Sequence, residues 1–111
     1  MFKVGQGIKG QIRFKDGELS EKVRPYLIVK VCSEYIEVLT VSTIKGKERK
    51  LAFPTNKKID KFKPPFLKPS FVKLDSLIKI HKSEWKKYSI IHNGETLDFN
   101  ELNNIISNIK R

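Results

Sequence analysis

Five polar residues stand where apolar runs of the chain begin or end. Arg24, followed by Pro25, opens the run Tyr26–Cys32. Ser42 and Thr43 close the run Tyr35–Val41, and Lys73 and Asp75 sit two apart in Ser70-Phe71-Val72-Lys73-Leu74-Asp75. Residues two apart on an extended strand point to one face, so Lys73 and Asp75 share a face while Val72 and Leu74 turn to the core. A guanidinium, hydroxyls, an ammonium and a carboxylate are groups that stabilise developing charge and move protons. Each also has a plainer reading. Arg24 pairs with a loop acid such as Glu21; Ser42 and Thr43 bond nearby backbone at a strand end; Asp75 caps a turn with Ser76; Lys73 is one more solvated lysine. No Ser-His-Asp set, P-loop, dinucleotide fingerprint or metal-ligand spacing is present.

The charge balance names a class of partner. The net charge is +11 and the isoelectric point about 9.8, which points to a polyanion: nucleic acid, or less readily an anionic membrane surface. Residues 44–87 carry net +10, against +2 before them and −1 after them, and Asp75 is the one acid within 61–83. A coding bias toward Lys and Asn accounts for a solvated lysine surface, but not for the scarcity of acids there. Within this segment Lys45, Lys47 and Lys68 are candidate substrate contacts. Phe53, Phe62, Phe66 and Phe71 lie among the basic residues. Phe53 and Phe71 are expected in the core, and Phe62 and Phe66, in a proline-rich stretch, are the candidates for stacking on bases.

Several classes are excluded. No apolar run approaches the roughly 20 residues of a membrane span, and Met1–Gly7 has no apolar signal core. The single Cys32 rules out an intramolecular disulfide and a cysteine zinc cluster, and is expected to be a buried, inert thiol. His81 and His92 are eleven apart in unlike contexts. The expectation is a cytoplasmic protein with no metal and no cofactor. At 111 residues and 39% hydrophobic content, one domain with a real core is expected over 1–111.

The elements that must position these groups follow from periodicity. Ile8–Phe14 alternates as a half-buried strand, followed by a polar loop with an Asp16-Gly17 turn. Tyr26–Cys32 reads as a strand buried on both faces, Ser33-Glu34 as a tight connection, and Tyr35–Val41 as its antiparallel partner. A basic loop holding Gly46 leads to a short strand Lys50–Phe53, stopped by Pro54. Residues 54–69 contain four of the five prolines and read as a long ordered loop. Ser70–Asp75 alternates again and Leu77–Ile80 continues it. Ser83 caps a short helix through Trp85 and Tyr88, or Tyr88–Ile91 is a strand; Trp85 packs the core or a dimer interface; Asn93-Gly94 is a turn. Asp98 and Glu101 form a capping box ahead of an apolar stripe of Phe99, Leu102, Ile105, Ile106 and Ile109, with Lys110 and Arg111 at the helix's negative end. The sum is a mainly β, α+β domain: a small antiparallel barrel over about 5–81 with a C-terminal helix over about 98–110.

Gly7-Ile8, then Val23-Arg24-Pro25 before Leu27-Ile28-Val29, then Val41-Ser42-Thr43, then Ser70–Asp75 make an ordered set. In these features the chain from Gly7 to about Ile80 resembles the MazF/PemK/Kid family of bacterial toxin endoribonucleases. The resemblance implies an SH3-like barrel with C-terminal helices, a homodimer, and metal-independent cleavage of single-stranded RNA. The RNA's 2′-OH is the nucleophile, and the products are a 2′,3′-cyclic phosphate and a 5′-OH. By position, Arg24 would stabilise the pentavalent phosphorane and protonate the leaving oxygen, and Ser42 with Thr43 would hydrogen-bond the phosphate. Asp75 would take the 2′-OH proton. Lys73 would be its electrostatic partner or the acid, where one branch of the family has an arginine that binds phosphate bidentately as lysine does not. The first strand and the loop after it lack the acidic and histidine features of some members. The implied partner is a cognate antitoxin, an acidic protein or an RNA. Two other functions compete: a non-catalytic RNA- or DNA-binding barrel, and a gyrase-poisoning relative on the same fold, against which the basic segment and Arg24-Pro25 weigh.

Overall fold

The structure, a computed structural model, describes residues 1–11 and 23–110. Among the described residues seven strands and one α-helix follow in order: β1 Gly7–Gly10, β2 Arg24–Val31, β3 Tyr35–Thr43, β4 Asn56–Ile59, β5 Ser70–Lys73, β6 Ile78–His81, β7 Ser89–Ile90 and α1 Phe99–Ser107. The expected strand beyond Gln11, the Asp16-Gly17 turn, Glu21 and Arg111 lie outside the described residues.

β2 and β3 are the centre. Their β-branched and aliphatic residues alternate between two apolar cores. Leu27, Val29, Leu39 and Val41 enter one, and Tyr26, Ile28, Ile36 and Val38 the other. A strand pair buried on both faces reads as a continuous apolar run, which is why these two were visible in the sequence. The hairpin between them closes with Cys32 N donating to Tyr35 O at 2.8 Å. Cys32 itself is half-buried rather than buried.

β3 is nine residues long and serves two partners on its far edge. Its first half pairs with β6, Tyr35 to His81 through Val38 to Ile78. Its last residues pair with β5, Val41 to Val72 through Thr43 to Ser70. At the seam, Thr40 N donates to Ser76 Oγ at 2.9 Å, and that hydroxyl donates to Lys73 O at 2.7 Å. The single strand expected through Ile80 is therefore broken at 74–77, where a side chain takes over a ladder bond. The sheet order is β4-β5-β3-β2-β1-β7 with β6 beside β3, and every pairing is antiparallel. Among the described residues no ladder joins β4 to β7, so the sheet is open where closure into a barrel was expected.

Three local expectations are corrected. Lys50–Phe53 is not a strand: a 3₁₀ helix spans Glu48–Ala52, wound by Lys50 N to Lys47 O and Phe53 N to Lys50 O, and Phe53 is 56% exposed. Residues 54–69 are not all loop. β4 lies between Pro54 and Pro64 as an edge strand paired with β5 alone, a place where flanking prolines do no harm. Ser83 caps nothing: the 3₁₀ helix Lys82–Lys87 has no side-chain cap, and β7 follows it, so helix and strand both occur. Trp85 is half-buried, its indole donating to Ile80 O at 3.1 Å and its ring edge-on to Phe2 at 5.4 Å.

α1 starts as expected, with Asp98 accepting from Glu101 N at 3.1 Å. Glu101 Oε1, however, accepts from Lys61 N at 2.8 Å, so the acid of the box fastens the helix to the loop after β4. Leu102 and Ile105 are buried against the first core, with Ile106 and Ile109 packed beside them. Phe99 leaves the stripe and is 73% exposed. Beyond the helix, Lys110 N donates to Leu74 O at 2.9 Å. Among the described residues no helix is long and apolar enough to cross a membrane.

Two substitutions rank these contacts. Asp98→Ala removes a cap and should cost about 1 kcal/mol. Ser76→Ala leaves the Thr40 amide unpartnered at the seam and should cost about 1–3 kcal/mol. Urea midpoints of the two variants measure the order.

Candidate functional site

Arg24 is the first residue of β2 and pairs with Gly10 of β1. The β2–β3 ladder sets Tyr26 opposite Thr40. Two residues outward on each strand, Arg24 and Ser42 stand on the face of that pair, at the open end of the ladder. Ser42 is 8% exposed, and its Oγ accepts from Lys47 Nζ at 2.9 Å. Lys47 reaches back because the chain reverses just before it: Gly46 has φ 78°, and Lys47 N donates to Ile44 O at 2.7 Å.

Lys73 ends β5 opposite Asn56, pointing away from the core that Val72 and Leu74 enter. Partial burial pushes the pKa of its ammonium down. The positive charges of Lys50, Arg24 and Lys47 push it further the same way, against a smaller opposing pull from Asp75. Three elements thus deliver four cations into one field: Arg24 from β2, Lys73 from β5, and Lys47 and Lys50 from the segment after β3. Among the described residues Asp75 is the one carboxylate acting on Lys73. It lies in the turn beyond β5 and is exposed, while the turn's own hydrogen bonds run through Ser76.

Tyr26 shares this face. Burial raises its phenol pKa, with Arg24 working against the rise. Its ring meets Tyr88 edge-on at 6.3 Å, and Tyr88 is pushed up to about 12, chiefly by burial. Both phenols stay protonated beside the cations at neutral pH.

Other expected contacts lie elsewhere. Thr43 pairs with Ser70, and with Pro25 it lines a pocket of about 290 Å³ on the opposite face from Ser42. Lys45 and Lys68 border a neighbouring cavity. Phe66 offers no ring for stacking: it is 4% exposed, drawn into the first core where Phe66 N donates to Phe62 O at 2.8 Å. Phe62 packs half-buried against the same core. Phe53, expected inside, faces solvent, and so does Leu67, 67% exposed.

The sequence reading missed Lys50, hidden in a stretch taken for a strand, and His92, whose position depends on the corner that Asn93-Gly94 announced. His92 lines the 290 Å³ pocket, with Nε2 2.8 Å from Glu95. Among the described residues no three His, Cys, Asp or Glu side chains stand close enough to share a metal ion. No protein-family model matches the chain, and no curated protein matches its sequence.

The four-cation field has a measurable consequence. Lys73 holds its proton less tightly folded than at the ordinary lysine value of 10.5. Between the two values the unfolded chain binds more protons, so stability rises with pH through that window; below it the folded state bears the full repulsion. Lys73→Met should therefore raise the urea midpoint at pH 7, with the gain shrinking as the pH approaches 10.5. In the wild type, inorganic phosphate should move the Lys73 ammonium titration, followed by NMR, back up.

Proposed function

We propose that the chain is an endoribonuclease of the kind its sequence resembles, the MazF/PemK/Kid toxins, cleaving single-stranded RNA without a metal ion. One observation carries this reading: the charges of Arg24, Lys47 and Lys50 all act on Lys73, Lys47 Nζ also reaches the Ser42 hydroxyl, and among the described residues Asp75 is the one carboxylate acting on Lys73. Like charges held together without neutralisation cost stability, and a bound phosphodiester relieves that cost.

In this mechanism the scissile phosphate rests on Arg24 and on the Ser42–Lys47 pair. Asp75 takes the proton of the adjacent 2′-OH. The 2′-oxygen attacks phosphorus, the bond to the 5′-oxygen breaks, and Lys73, a better acid for its lowered pKa, protonates the leaving oxygen. The products are a 2′,3′-cyclic phosphate and a 5′-OH, with Asp75 protonated and Lys73 neutral at the end of the step, ready to exchange with solvent. The fold reading that belongs with this proposal is an SH3-like barrel left partly open. It also brings a homodimer, a cytoplasmic setting and a cognate antitoxin, acidic protein or RNA, drawn to the +10 middle segment.

A second reading has its own support. Asp75 is exposed in a turn, and four cations bind a strand without it, as a non-catalytic nucleic-acid-binding module would.

End-labelled single-stranded RNA in EDTA separates them. The wild type should give discrete fragments ending in cyclic phosphate. Arg24→Ala and Asp75→Asn should each lower the rate about 10²–10³-fold, with binding weakened in Arg24→Ala alone. Tight, salt-sensitive binding of RNA that stays intact would sink the nuclease and leave the binding module.

A further inference from the structure

Behind Arg24 and Ser42, on the other face of the same strand ends, runs a groove. Its apolar end, about 290 Å³, is walled by Pro25, Pro65, Phe66 and Ile91. Its wider end, about 540 Å³, is bordered by Lys45, Lys68 and Glu48, whose carboxylate accepts from Gly46 N at 3.2 Å, and Thr43 and Lys68 belong to both parts. Small-ligand pockets begin near 300 Å³, so the apolar end takes one ring system and little more.

The mouth of that end is held firmly. His92 and Asn93 have φ of 51° and 56°, and Gly94 of 78°, a run in the left-handed region that ordinary residues rarely enter. Gln6 Nε2 fixes the corner by donating to Gly94 O at 3.0 Å, and Gly94 N donates to Ile91 O at 3.2 Å. The Glu95 carboxylate, 2.8 Å from Nε2, orients the His92 imidazole. Strained backbone secured this way, at a pocket rim, places a polar ring edge where an apolar ligand would expose its own polar edge.

The groove and the cation cluster are neighbours along the chain. Successive residues of a strand point to opposite faces, and Arg24-Pro25 and Ser42-Thr43 are such pairs, so the two half-sites lie back to back on the two faces of the same strand ends. An apolar slot for one ring, cations at its open end and more cations around the strand ends match a flat heterocycle joined to a chain of phosphates. Resting on the nucleic-acid reading above, we infer that the groove holds one nucleotide of the bound strand. Its base lies in the apolar end with His92 at the rim, and its phosphate lies between Lys45 and Lys68. The neighbouring phosphate crosses the strand ends to Arg24, Ser42 and Lys73.

The test uses a fluorescein-labelled, non-cleavable single-stranded 2′-deoxy oligonucleotide and an all-abasic oligomer of the same length and charge, in anisotropy titrations at one salt concentration. The wild type should bind the base-bearing strand at least about tenfold tighter, the worth of burying about 55 Å² of apolar surface in the slot. Thr43→Phe, which fills the groove from its exposed rim, should erase that preference, bringing the affinities for the two oligomers together; its thermal unfolding is compared with wild type. Equal wild-type binding of both oligomers overturns the groove assignment while the phosphate cluster stands. A preference that survives in folded Thr43→Phe puts the base elsewhere and overturns it too. Binding of neither oligomer removes the nucleic-acid reading and the groove assignment with it.

Discussion

The backbone amide of Thr40 sits where β3 changes partners, and the fold depends on how it is satisfied. A nine-residue central strand flanked on one edge by two short strands leaves a gap in its ladder, and a buried amide without an acceptor is costly. Ser76 closes the gap, and by donating onward to Lys73 O it fixes the direction in which β5 ends. β5 and β4 can then diverge from β6, and that divergence lets one sheet carry two cores. The same turn sets Lys73 at the end of a strand and Asp75 just outside it.

The cation cluster makes the opposite trade. Arg24, Lys47, Lys50 and Lys73 gain nothing from one another, and Lys73 loses part of its hold on a proton. The two cores built on β2 and β3 provide the stability that tolerates this, since their strands are buried on both faces. A rigid apolar ladder ending abruptly in charge is a general way to preorganise a binding surface: the groups are held in place before any ligand arrives.

What could be read from the sequence follows from where the information resides. β2, β3 and α1 announce themselves through dense or periodic apolar residues. β4 does not, because Asn56-Lys57-Lys58-Ile59 puts only Ile59 in the core and an edge strand needs no more. The break at 74–77 is invisible because the alternation runs on through it; only the position of β6 along β3 demands a turn. Phe53 and Phe66 exchanged their expected places because local setting says nothing of which ring a distant core will recruit. Arg24, Ser42 and Lys73 were legible as polar ends of apolar runs, and the structure puts them on one sheet face. Thr43, one residue on, faces the other way. Lys50 and His92 were not legible, since a 3₁₀ turn in one case and a left-handed corner in the other decide where they point.

α1 and the residues beyond it touch both halves of the candidate site without belonging to either. At its start, α1 holds the proline-rich wall through Glu101 and Lys61. Past its end, Lys110 N is bonded to Leu74, between Lys73 and Asp75. The helix is thus a strut across the back of the molecule, fastened at one end to the groove and at the other to the charged turn. A force or a binding partner acting on the helix is transmitted to both at once, so the spacing between ring slot and cations is set from behind, at a distance from any ligand.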